Sequence, residues 1–150
     1  MDRKKIMANL SESLVRVNSA YEKIAVKYQI NYNSLMIFYL LDEMTYLTQK
    51  DICEKLFLSK STVNGLLKDL KTKGYVALIP GKNKKEKCII LTDSGKIMNQ
   101  HIQEDTDSFE TGILHWFGEE KIVSFLETTE NISWQMYNTV KDSINSKEKW

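Results

Sequence analysis

The chain has 150 residues, 42% of them hydrophobic and 27% charged, with a formal net charge of +1. That length and apolar content suit one domain with its own core. No run of eighteen apolar residues occurs, which argues against a transmembrane helix, and two cysteines argue against a disulfide scaffold. The opening MDRKKIMANLSESL has no apolar leader and no small-residue cleavage site, so a cytoplasmic protein is expected.

The first predicted helix runs from about Arg3 to Tyr28, with Ile6, Leu10, Leu14, Val17, Tyr21, Ile24 and Tyr28 at spacings of three and four. Aromatic residues then cluster between Tyr21 and Tyr46. Thr48 is a good helix N-cap, and Asp51 three residues on can complete a capping box. Ile52 and Leu56 share one face of the helix that follows. Ser59 caps the next helix, KSTVNGLLKDLKTKG, whose buried stripe is Val63, Leu66, Leu67 and Leu70. Lys71 and Lys73 fall in its last turn, and Gly74 is the expected C′ glycine.

YVALIP reads as a strand ended by the only proline, GKNKKEK as a charged tip, and CIIL as the returning strand. Thr92 can cap a long helix reaching about Trp116. A last helix carries Ile122, Phe125, Thr129, Ile132, Met136, Val140 and Ile144 on one side. The order is a helix-turn-helix with a β-hairpin wing. The expected fold is mainly α with a small β-hairpin (α+β), flanked by N- and C-terminal helices.

Charge is distributed unevenly along this order. Residues 59–96 hold nine lysines and three acids, a balance of +6, whereas residues 97–150 hold four lysines and ten acids, a balance of −6. A basic middle points to a polyanion, although a solvated lysine-rich face would look the same. Recognition helices contact base edges mainly through their N-terminal residues. Ser59, Lys60, Ser61, Thr62, Asn64, Gly65 and Lys68 are therefore the candidate contacts to double-stranded DNA on the helix. Asn64 can pair with adenine, and the Thr62 methyl can meet thymine. Ser61 and Thr62 can equally serve only as caps, and Asn64 can simply be solvated. Gly65 is costly inside a helix, by roughly 1 kcal/mol against alanine. Close backbone approach to DNA and a tight helix–helix contact would each account for it. Lys82, Asn83, Lys84, Lys85 and Lys87 are the wing candidates, placed to meet phosphates or a narrow minor groove.

In combination these residues resemble the MarR family of winged helix-turn-helix regulators. The resemblance rests on TQKDICEKL, Ser61-Thr62-Val63 with the leucine stripe, Lys73-Gly74 before a strand, and Leu91-Thr92 with Gly95. It covers the core motif strongly and the whole chain in layout. It implies a single domain over 1–150, with a DNA-binding core near 31–96 and dimerisation helices near 1–30 and 97–150. The terminal amphipathic helices point the same way, because a small winged domain cannot bury both; a purely intramolecular bundle is the alternative. A two-fold homodimer would read a near-palindromic operator, most naturally as a repressor. The family's wing usually carries Asp-Arg-Arg where this chain has Asn83-Lys84-Lys85, and position 65 is often Arg rather than Gly. Lysine lacks the guanidinium fork, so weaker or more salt-sensitive binding is expected.

The resemblance also implies a small, often aromatic, effector ligand. Tyr21, Met36 and Tyr39 are the candidate lining residues, and an aromatic stripe at helical spacing is equally a plain core. Cys53 and Cys88 lie in apolar sequence and read as buried thiols, with a redox response as the alternative. His101 and His115 are fourteen residues apart on one predicted helix, roughly 21 Å, too far to share an ion. No phosphate loop, HExxH, CxxC or Ser-His-Asp arrangement occurs, so no enzyme, metal or cofactor is expected. The main rival function is a winged helix that binds protein and not DNA.

Overall fold

The computed structural model describes residues 2–81 and 86–146. In chain order the elements are α1 (Arg3–Lys27), α2 (Tyr32–Glu43), β1 (Leu47–Thr48), α3 (Gln49–Leu56), α4 (Lys60–Thr72), β2 (Val76–Pro80), β3 (Lys87–Leu91), α5 (Asp93–Phe117) and α6 (Glu119–Ser146). The fold is mainly helical with a small antiparallel sheet, a winged helix-turn-helix. By internal packing the chain divides into two compact units, Met1–Thr106 and Asp107–Trp150.

Local chemistry explains most helix ends in the first unit. The Asn31 side chain caps α2 by accepting from the Ser34 N–H. Thr48 and Asp51 form the full reciprocal capping box at α3. Ser59 caps α4 by accepting from the Thr62 N–H. At the far end of α4 the Tyr75 N–H bonds the Leu70 carbonyl and the Gly74 N–H bonds the Lys71 carbonyl. That is a Schellman closure around Gly74, whose φ is 77°. Helix α1 closes in the same way, with Gln29 in the left-handed position at φ 56° and buried Ile30 following it. The turn from α3 to α4 places Phe57 left-handed at φ 53°. Neither turn uses glycine, so neither was legible from composition.

The sheet has order β1-β3-β2. Val76 pairs with Leu91 and Pro80 with Lys87, so β2 is an edge strand, where a residue without an N–H is tolerated. Lys87 thus opens β3 and is not part of the tip. Strand β1 is short and was not expected; it pairs Leu47 with Ile89 and Thr48 with Cys88. Behind the sheet and helices lies one core, including Leu35, Ile37, Phe38, Leu47, Ile52, Val63, Leu70, Ile89 and Ile102. The expected stripe of α4, Val63, Leu66, Leu67 and Leu70, is buried as a whole.

Thr92 and Gly95 seat α5 on this core. The Thr92 N–H donates to the Tyr75 carbonyl, its hydroxyl donates to the Gly74 carbonyl, and its oxygen accepts from the Gly95 N–H. A Cβ on Gly95 would lie 1.9 Å from the Tyr75 oxygen, so only glycine lets α5 approach this closely. At the C-cap of α1, the Tyr28 hydroxyl lies 2.6 Å from an Asp105 carboxylate oxygen and 2.8 Å from the His101 carbonyl, tying the end of α1 to α5. Burial, then the Asp105 hydrogen bond and charge, push the Tyr28 pKa up to about 12. Hydrogen bonds from Lys27 and Tyr28 hold Asp105 below the usual carboxylate range.

The second unit is built from the end of α5 and from α6. Gly118, at φ 83°, separates the two helices. No described side chain of this unit is buried. Trp116, Phe125, Trp134 and Ile144 are all more than half exposed. Among the described residues no helix is long and apolar enough to cross a membrane.

Candidate nucleic-acid interface

The outward face of α4 follows from its inward one. Because Val63, Leu66, Leu67 and Leu70 face the core, a period of 3.6 residues turns Ser61, Asn64, Gly65 and Lys68 away from it. Ser59, Lys60, Ser61, Thr62, Asn64, Gly65 and Lys68 are all exposed. The structure therefore brings every helix candidate onto the open side of α4. It also divides their duties. The Ser59 and Thr62 hydroxyls are 2.8 Å apart and belong to the cap. Asn64 is held from α3: the Gln49 Nε2 donates to the Asn64 Oδ1 and, at 3.2 Å, to the Lys60 carbonyl.

Gly65 has open space where a Cβ would stand. Within the chain, then, a tight helix–helix contact does not account for this glycine.

Between α4 and the wing strands lies a groove of about 500 Å³. Leu67, Leu78 and Ile89 are among its apolar residues, while Gln49, Lys50, Asn64, Lys68, Lys71 and Lys87 line it with polar groups. Four lysines against the single carboxylate of Glu86 make this a cationic trough. Lys50 and Lys71 were not among the sequence candidates, and neither was Gln49. Lys73 is turned elsewhere, bonding the Gln29 carbonyl at 2.8 Å and pairing with Asp69. Of the wing candidates, Lys87 is exposed at the start of β3. Lys82, Asn83, Lys84 and Lys85 lie outside the described residues.

Tyr21, Met36 and Tyr39 are half-buried and pack against the core. The rings of Tyr21 and Tyr39 meet edge-to-face with centroids 6.4 Å apart. A separate concavity of about 670 Å³ opens between the end of α2, β3 and α5; Asp42, Lys96, Asn99 and Gln103 line it, and none of those three residues does. Its polar groups are largely engaged, for the Asn99 amide donates to Asp42 at 2.7 Å. Cys88 is buried and Cys53 half-buried. His101 lies 3.7 Å from Glu104, and among the described residues no three His, Cys, Asp or Glu side chains converge.

Residues 28–85 match the model of the MarR family. No curated protein sequence matches the chain. Among solved structures, the MarR family regulator NMB1585 from Neisseria meningitidis is similar at 23% identity and a TM-score of 0.79, over 95% of this chain and 99% of that one. A structure of NadR in complex with 4-hydroxyphenylacetate is similar at 20% identity and a TM-score of 0.73, over 85% of this chain and 91% of that one. BpsR of Bordetella bronchiseptica, whose DNA binding is regulated by 6-hydroxynicotinic acid, is similar at 12% identity and a TM-score of 0.72, over 85% and 92%. The likeness to these structures is one of fold. Residues 28–85 thus match the MarR family model, and most of the chain shares the winged-helix fold of these structures.

Proposed function

From a MarR-family core, we propose that this chain is a cytoplasmic, sequence-specific DNA-binding regulator and not an enzyme. It acts as a homodimeric repressor on a near-palindromic operator. One observation carries the reading: the open face of α4 is polar and lysine-bearing from Ser59 to Lys68, and a four-lysine groove adjoins it. Helix α4 enters the major groove with Ser61, Thr62, Asn64 and Gly65 towards base edges. Lys60 and Lys68 flank them, while Lys82, Asn83, Lys84, Lys85 and Lys87 follow the backbone or minor groove.

The second copy covers the terminal helices. Ile6, Leu14 and Val17 of α1 stay exposed in the single chain, as do Phe125, Trp134, Tyr137 and Val140 of α6. Exposed apolar residues repeated along both terminal helices match a self-complementary two-fold interface. Occupancy is set by a small aromatic ligand seated near Tyr21, Met36 and Tyr39, of the class of the 4-hydroxyphenylacetate in the NadR complex and the 6-hydroxynicotinic acid that regulates BpsR. Such a ligand acts by preferring one spacing of the two recognition helices.

Fluorescence anisotropy on duplex from upstream of the chain's own gene, beside a scrambled duplex and across a salt series, tests this. Tight, selective and salt-sensitive binding is expected. Replacing both Lys84 and Lys85 by alanine should weaken binding to both duplexes and flatten the salt slope by about two units. Absence of binding to either duplex at low salt would move the assignment to a protein-interaction module.

A further inference from the structure

We propose that the groove between α4 and the wing strands seats one sugar-phosphate strand of the duplex, held by Lys50 and Lys71, and that Glu86 limits how tightly the strand is held. The inference rests on the DNA-reading role of α4 proposed above, and names three residues that role did not use.

The seat follows from where the groove lies. With α4 in the major groove and the wing at the minor groove, the backbone strand separating those grooves has to cross the space between the two elements. That space is the groove of about 500 Å³. Leu78 and Ile89 are cross-strand neighbours, and with Leu67 they give it an apolar floor. Leu78 is 38% exposed in the free chain. A deoxyribose would cover it while the flanking phosphates meet the rim.

The rim is cationic from three directions. Lys50 comes from α3, Lys68 and Lys71 from α4, and Lys87 from β3, and all four are exposed. Lys68 and Lys71 are three residues apart, so they stand on one side of α4. Lys50 lies 3.7 Å from Glu54, but both side chains are open to solvent, and such a pair yields readily to a phosphate.

Glu86 works against this charge. Its carboxylate-bearing side chain lines the same groove. Its backbone is fixed there, because the Glu86 carbonyl accepts from the Gly81 N–H at 2.8 Å and closes the base of the hairpin. A carboxylate beside a phosphate is repelled, and an unfavourable contact of this kind restrains binding as effectively as a favourable one promotes it. Phosphates carry no sequence, so the restraint acts on every duplex alike.

Anisotropy titrations across a salt series compare the wild type with Lys50→Ala, Lys71→Ala, Glu86→Gln and Lys55→Ala. Each is run on a site selected by the wild type from a random duplex pool and on a scrambled duplex, with circular dichroism melts checking each fold. Lys55 is exposed on α3 and outside the groove, so it is the control. Lys50→Ala and Lys71→Ala should each weaken binding to both duplexes about fivefold and flatten the salt slope by about one unit. Glu86→Gln should tighten both by about threefold or more, and Lys55→Ala should change neither by more than about twofold. Either groove lysine behaving like Lys55 would overturn the seat. So would a loss confined to the selected site, which would mean base contact. Unchanged or weaker binding by Glu86→Gln would overturn the restraint. A wild type that binds neither duplex at low salt would instead overturn the DNA-reading role itself, and this inference with it.

Discussion

In the first unit Leu35, Ile37, Phe38, Ile52 and Leu70 are wholly withdrawn from solvent, whereas no described side chain of the second unit is buried. Both units are rich in helix and both carry apolar stripes. The difference teaches that a stripe alone does not make a core. Residues of α2, α3, α4 and the sheet converge on one volume, so each covers the others. In the second unit Trp116 stays 83% exposed and Ile144 70%. Burial supplies most tertiary stability, at roughly 25 cal/mol per Å² of apolar surface. The first unit has that stabilisation within itself, and the second would acquire it only on being covered, as in the proposed dimer.

Substitutions can break or sharpen this contrast. The largest effect belongs to the core: Phe38→Ala should cost about 3–5 kcal/mol in urea unfolding. Next, Phe125→Glu combined with Tyr137→Glu should weaken self-association by about 2 kcal/mol or more, roughly thirtyfold, in sedimentation equilibrium. The dichroism of the helices should survive. An unchanged dimer would mean that α6 is covered in some other way, and the contrast would fail.

Gly95→Ala and Gly65→Ala sharpen the comparison inside the first unit. The first drives a methyl into the Tyr75 carbonyl and should destabilise by about 1–3 kcal/mol. The second meets nothing and should stabilise by about 1 kcal/mol while lowering DNA affinity if the backbone lies close to the duplex. Thermal melts read both signs.

The smallest effect is a pH dependence. Hydrogen bonds from the Thr48 N–H and hydroxyl hold Asp51 below the usual carboxylate range. A folded pKa below the unfolded one stabilises above the unfolded value and ceases to do so as pH falls through the folded value. Asp51→Asn should therefore cost about 0.5 kcal/mol at neutral pH, and the gap from wild type should close in acid. A gap that stays constant down to strong acid would remove the charged cap from the account.

What was legible in the sequence was short-range. The caps at Thr48 and Ser59, the Gly74 closure, the stripe of α4 and the strands on either side of the wing depend on residues within a few positions of one another. The outward set from Ser59 to Lys68 follows from that stripe by helical geometry. Strand β1 escaped because two residues carry no periodicity; it exists only because β3, some forty residues on, offers a ladder. The left-handed turns at Gln29 and Phe57 lack the glycine that usually marks them. Gln49 escaped because its partner is fifteen residues away on another helix.

By itself, then, the sequence determined the order of helices and strands, the two faces of α4 and the basic middle of the chain, since these follow from periodicity, capping and charge along one segment. Only the tertiary structure decided that Gly65 meets no neighbour, that Gly95 must be glycine, that Lys50 and Lys71 share a groove with Lys87, and that Gln49 holds Asn64. Each of these is a distance between residues remote in the chain, set by how the elements pack, and no local pattern encodes it.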